Sequence, residues 1–154
     1  MNHVIKIAFS LLIVFCSTVA MAQNIFPEQY EGCNTDQFAL ESEELTANID
    51  HQELLRIVQE GFEDKVKGKV SGVLSLQIIV NTKGESCLIS VENKTNVKTK
   101  KLNLKSNIDS NLKWAKPKKK VAAIVVISFG PKGVTLKRMG MNGKLGWHEL
   151  PLND

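Results

Sequence analysis

Beyond residue 22 the reactive side chains are few: Cys33, Cys87, His51 and His148 are the only cysteines and histidines there. A thiol nucleophile needs a base within hydrogen-bond reach, so Cys87 with His148 is the one dyad to weigh. It would require a reduced, exposed thiol, whereas the alternation of residues around Cys87 turns its side chain inward. His51 reads as a solvated residue near a helix start. The four residues are scattered, without the close ligand pairs that metal sites use. The glycines near Gly130 and Gly143 sit at turn positions and build no phosphate loop. The expectation is a chain that is not an enzyme, with no catalytic residue, no metal and no cofactor.

Cys33 and Cys87 have a second possible chemistry, which depends on the compartment. The opening MNHVIKIAFSLLIVFCSTVAMAQ places Lys6 before an apolar run and ends on Ala20-Met21-Ala22, the form of a cleavable signal over residues 1–22. The run of about 13 residues falls short of the roughly 20 that span a bilayer. A periplasmic or secreted protein, with no membrane span after cleavage behind Ala22, is therefore expected. Cleavage would also remove Cys16 and leave an even pair in an oxidising compartment. A Cys33–Cys87 disulfide and a free, buried Cys87 with an exposed Cys33 are the two readings. A disulfide would close a loop of over 50 residues, for which the chain-entropy estimate is about 4 kcal/mol.

The elements that must position these residues follow from periodicity. The 154 residues, 43% hydrophobic and 23% charged, suit one domain with an ordinary core. Residues 23–49 are acidic, lack a sustained period and are expected to wrap the surface. Asp50 and Glu53 form a capping box before Leu54, Ile57, Val58 and Phe62, which predicts a helix over about 51–65. From Val70 the period changes to two, and GVLSLQIIVNTKGESCLISV predicts a hairpin about Asn81-Thr82-Lys83-Gly84. Leu104, Ile108 and Leu112 mark a second helix over about 97–113, ended by Pro117. The run VAAIVVISF, residues 121–129, is apolar on both parities and predicts a strand covered on both faces or one pairing with a partner. The fold class expected is α+β: a two-layer sandwich with a small antiparallel sheet, hairpin plus third strand, against two helices in the order α-β-β-α-β. In this division residues 50–130 are the domain and 131–154 a C-terminal extension. After signal removal the net charge is +3, and few aromatics interleave with the lysines, so no nucleic-acid partner is expected.

Gly72 before an alternating strand, Gly84 in the turn, Trp114 with Pro117 in KWAKP, and a last strand ending at Phe129 occur in an order that resembles the C-terminal domain of TonB, the periplasmic energy transducer of Gram-negative bacteria. The segment FPEQYEGC is similar to the approach segment of Bacteroidetes-type versions. Three positions depart from the family pattern: Phe62-Glu63 replaces a Tyr-Pro pair, Pro117 lies one residue later, and Lys105 stands where an Asp is usual. With four unclustered prolines, the chain looks like the terminal module without a periplasm-spanning linker.

The resemblance implies a non-catalytic module that binds a protein or peptide partner, such as a segment of an outer-membrane receptor, by adding it as a strand to a sheet edge. In the family the last strand offers that edge, which here would be Ile124, Val125, Val126, Ile127, Ser128 and Phe129, with a role accessory to transport. The alternative is a secreted structural envelope protein whose edge is covered by its own tail. A short turn after Phe129 would let residues 134–139 fold back on the same strand.

Overall fold

The computed structural model describes residues 24–144 and 146–151. The signal expected over residues 1–22 lies outside the described residues. Asp50 starts the first helix, α1 (His51–Glu60), by accepting a 2.7 Å hydrogen bond from the Glu53 amide. Gly61 caps the helix, and Phe62 to Lys67 continue as hydrogen-bonded turns, so α1 stops short of the expected residue 65. Leu54, Ile57 and Val58 form its buried stripe.

The hairpin pairs β3 (Gly72–Val80) with β4 (Ser86–Thr95). Its turn closes through the Gly84 amide on the Asn81 carbonyl, while Asn81 Oδ1 accepts from the Lys83 and Glu85 amides. Gly84 has φ +81°, and a Cβ there would lie 2.2 Å from the Trp114 carbonyl oxygen, so the residue must be glycine on both counts. Between Gln77 and Ile78 the register slips, opposing Ile89 and Ser90 to a single step of β3. The bulge corrects the expected alternation of β4. Leu88 and Val91 join the main core, whereas Ile89 packs with Cys87 on the opposite face.

A short 3-10 turn (Thr99–Lys101) precedes α2 (Leu104–Asn111), which is shorter than expected and buries Leu104 and Ile108. β5 (Val121–Gly130) then lies antiparallel to β3. The chain reverses at Gly130–Gly133 into β6 (Gly133–Asn142), antiparallel to β5, and β7 (Gly146–Glu149) pairs in turn with the far half of β6. Two short strands come from the N-terminal segment: β1 (Glu28–Gln29) pairs with β4, and β2 (Ala39–Leu40) runs parallel to the start of β5.

The fold remains α+β, but the expected small sheet of three strands is corrected. Among the described residues there are seven strands in one sheet, ordered β1-β4-β3-β5-β6-β7 with β2 on β5, and two α-helices in the chain order ββαββαβββ. The difference has two causes: the tail forms two further strands of the sheet, and the N-terminal segment adds backbone to two others. One face carries the main core, where Leu74, Leu76, Ile78, Val125 and Ile127 meet both helices and Trp114. The other face bears a smaller cluster of Ile79, Ile89 and Ala122, covered by Phe38, Leu40 and the two cysteines. Gln77 and Ser90 are fully buried polar residues of the sheet. They accept the amides of Ile25 and Phe26 at 2.8 and 3.2 Å, which fixes the N-terminal segment against the sheet.

Candidate functional site

Ile124, Val125, Val126, Ile127, Ser128 and Phe129 do not line an open edge. On one side they pair with Gln77 through Gly72 of β3, and on the other with Met139 through Val134 of β6. The first residues of β5, which β6 does not reach, are paired with β2 through Val121 and Ala122. The tail therefore occupies the edge that the resemblance had assigned to a partner, in the fold-back that its turn allows.

An open stretch of edge lies one strand further out, on β6. β7 pairs with β6 only from Met139 to Asn142, and beyond it the Leu150 amide donates to the Arg138 carbonyl at 2.8 Å. Antiparallel strands alternate the direction of their main-chain groups. Because Arg138 points its carbonyl away from β5, Leu136 and Val134 do so too. Among the described residues nothing hydrogen-bonds to these outward groups. Val134 is 39% exposed.

Beside this edge, between β6 and α1, is a cavity of about 480 Å³ lined by Phe62, Val70, Phe129, Val134, Arg56 and Lys67 among others. That volume is within the range that takes a side chain or small ligand. Phe62 and Phe129 pack at 6.0 Å between ring centroids and form part of its apolar wall. Its charges are already matched, Arg56 with Glu53 and Glu60 and Lys67 with Asp64, so the wall favours an apolar group over a counter-ion.

A second grouping surrounds the cysteines, which form a disulfide, Cys33–Cys87. From α2 the Lys105 ammonium donates to both sulfurs, at 3.1 Å to Cys33 and 3.3 Å to Cys87, and pairs with Asp109 at 2.6 Å. Asp109 in turn accepts the Leu88 amide at 2.7 Å, closing part of the outer edge of β4. The two sulfurs and the Asp109 carboxylate lie within 4.8 Å of one another, but in the disulfide the sulfurs are uncharged and the lysine supplies the local cation.

The disulfide leaves Cys87 no free thiol for the dyad with His148. His148 also lies on β7, four strand steps from β4, about 19 Å at ordinary strand spacing. Its Nε2 is 3.6 Å from Glu43. His51 is the first residue of α1.

Sequence reasoning missed a buried ion pair, Glu41 with Arg138, whose side chains are 0% and 6% exposed. Glu41 Oε1 also accepts the Ala47 amide at 2.7 Å, and Arg138 donates to the Ala47 carbonyl at 3.1 Å. The guanidinium lies 4.7 Å from the centre of the Trp114 ring. Burial pushes the Glu41 carboxyl up, and the opposing pull of Arg138 does not restore it. The unpartnered Glu41 Oε2 and Arg138 Nε explain why the pairing compensates incompletely. The signal that could have found Arg138 is its parity, since it shares an inward face with Leu136 and Gly140.

Comparison with family models, curated proteins and solved structures found no match to this chain.

Proposed function

We propose that the chain is a non-catalytic interaction module of a bacterial envelope, resembling the TonB C-terminal domain, and that it receives an extended partner segment along the outer edge of β6. The observation that carries this reading is the pair of outward main-chain positions, Val134 and Leu136, unpaired beside the 480 Å³ cavity. A segment added there would gain main-chain hydrogen bonds, and an alternate side chain would reach the cavity. The Cys33–Cys87 disulfide supports a periplasmic or secreted location, because such bonds persist in oxidising compartments.

A second reading, a structural envelope protein without a transport role, is favoured by one observation. β5, the strand that offers the edge in the family, is paired along both sides.

Fluorescence anisotropy with N-terminal segments of outer-membrane receptors separates the two. Binding by the wild type, weakened at least about tenfold by Val134→Pro, is the expected outcome, since proline removes an outward amide and is tolerated on an edge. No binding of any segment would leave the structural reading.

A further inference from the structure

Around the disulfide the structure holds more than a covalent staple requires. Lys105 reaches both sulfurs at once, and it is fixed there, because Asp109 takes its ammonium on one oxygen and the Leu88 amide on the other. Its side chain and that of Asp109 are 27% and 28% exposed, so the charge is only partly screened. A cation beside a sulfur stabilises the thiolate, which is both the nucleophile and the leaving group of disulfide exchange. Among the described residues, the charged groups beside the sulfurs are on α2: the Lys105 ammonium, which donates to both, and the Asp109 carboxylate, which lies 3.7 Å from Cys87 Sγ and opposes a thiolate there from farther away than the ammonium favours it.

The chain on either side of Cys33 is held independently of the bond. Upstream, the Tyr30 amide donates to the Ile89 carbonyl at 2.9 Å and β1 pairs with β4. Downstream, Lys120 donates to Asn34 Oδ1 at 2.7 Å and to the Asp36 carbonyl at 2.8 Å. Opening the disulfide would thus leave the two sulfurs facing each other across Lys105, able to close again. Cys33 is half-buried between the exposed residues Gly32 and Asn34, the side from which an incoming thiol would approach.

We propose that Cys33–Cys87 is a thiol-exchange site, reduced by the dithiol of a partner protein and reoxidised by the reverse exchange with that partner's disulfide form, with Lys105 stabilising the leaving thiolate. A partner thiolate attacks Cys33 Sγ, the bond to Cys87 breaks, and Cys87 leaves as a thiolate held by Lys105. The second partner thiol, losing its proton, attacks the partner sulfur of the mixed disulfide and releases Cys33. The two electrons pass to the Cys33–Cys87 pair, two protons follow them, and the partner leaves as its disulfide.

The test uses the oxidised full chain with dithiothreitol as the dithiol, under native conditions, read by acid quench, alkylation and intact mass. Reduction of the wild type is expected to be at least about tenfold faster than that of Lys105→Met, with Lys105→Arg restoring most of the rate, the signature of a leaving thiolate stabilised by charge. The reduced wild type should also react with iodoacetamide at neutral pH faster than a cysteine peptide of pKa about 8.5, an advantage lost in Lys105→Met. Circular dichroism on each variant confirms that the fold is retained. Equal rates for the wild type and Lys105→Met, failure of Lys105→Arg to restore the rate, or reduction only in denaturant that unfolds the chain would overturn the proposal.

Discussion

Glu41 and Arg138, 97 positions apart in the sequence, form a buried ion pair that joins the N-terminal segment to the penultimate strand. The Glu41 main chain stands between β5 and β6, donating to the Ala122 carbonyl and accepting from the Met141 amide at 2.6 Å. Its side chain turns back to Arg138, which lies over Trp114. One residue thus ties together the tail, the N-terminal segment and the segment after α2.

Removing one partner strands the other charge in the core, at a cost of about 3–5 kcal/mol. Glu41→Ala is therefore expected to lose about that much stability in urea unfolding at neutral pH. Glu41→Met combined with Arg138→Met should lose less than either single change, because no uncompensated charge remains. A double variant as unstable as the sum of the singles would refute the pairing.

The pH dependence of Glu41 has a definite sign. Its carboxyl is raised by burial, so above the ordinary carboxyl range the folded chain still holds a proton that the unfolded chain has released. Stability from this group is complete at low pH and is lost as pH rises through the folded value. Measured against Glu41→Gln, which does not titrate, the stability difference should fall with rising pH from about pH 4 and then level off. A difference that grows with pH would mean that attraction to Arg138 outweighs burial.

Trp114 donates its indole N–H to Ser86 Oγ at 2.7 Å, and that hydroxyl donates to the Leu112 carbonyl at 2.8 Å. Ser86→Ala would leave a buried N–H without its acceptor, and about 1–3 kcal/mol of stability should disappear in denaturant unfolding. The indole fluorescence should shift as its donor loses its partner. A variant as stable as the wild type would show that the bond contributes little.

Truncation after Gly130 strips β5 of the antiparallel partner on its outer side and removes Arg138, which leaves Glu41 without its counter-charge. The truncated chain should self-associate through the uncovered edge. Light scattering against the full-length chain reads this directly, and unchanged solubility would show that the tail does not protect the sheet.

How much was legible in the sequence depended on how local the cause was. The Asp50 cap, the Asn81–Gly84 turn, the alternation of β3 and the stop before Pro117 each rest on residues within a few positions of one another, and each is found near its expected place. The end of α1 was overestimated because Phe62 continues the apolar spacing although Gly61 already caps the helix. The phase of β4 changed because its bulge answers the partner strand, which no pattern within β4 reveals.

The candidate site was less legible. The apolar run of β5 marked a strand that needed covering, but whether a partner or the chain itself covers it is decided by the residues beyond Gly130. The weak alternation of β6 hid a ten-residue strand, since its apolar Val134 is exposed and its inward Arg138 looks polar until Glu41 is placed beside it. Lys105 and Asp109 read as an ordinary i,i+4 pair on a helix. Only the fold brings both cysteines to that pair.

By itself the sequence determined the local elements, because caps, turns and the periods of helix and strand are set by neighbouring residues. It also supplied the two cysteines beyond residue 22, Cys33 and Cys87. Tertiary structure alone decided which edge of the sheet stays open, how the Glu41 and Arg138 charges are buried together, and that an ammonium group sits against both sulfurs. Each of these depends on residues tens of positions apart meeting at hydrogen-bond distance, and their spacing along the chain carries no record of that meeting.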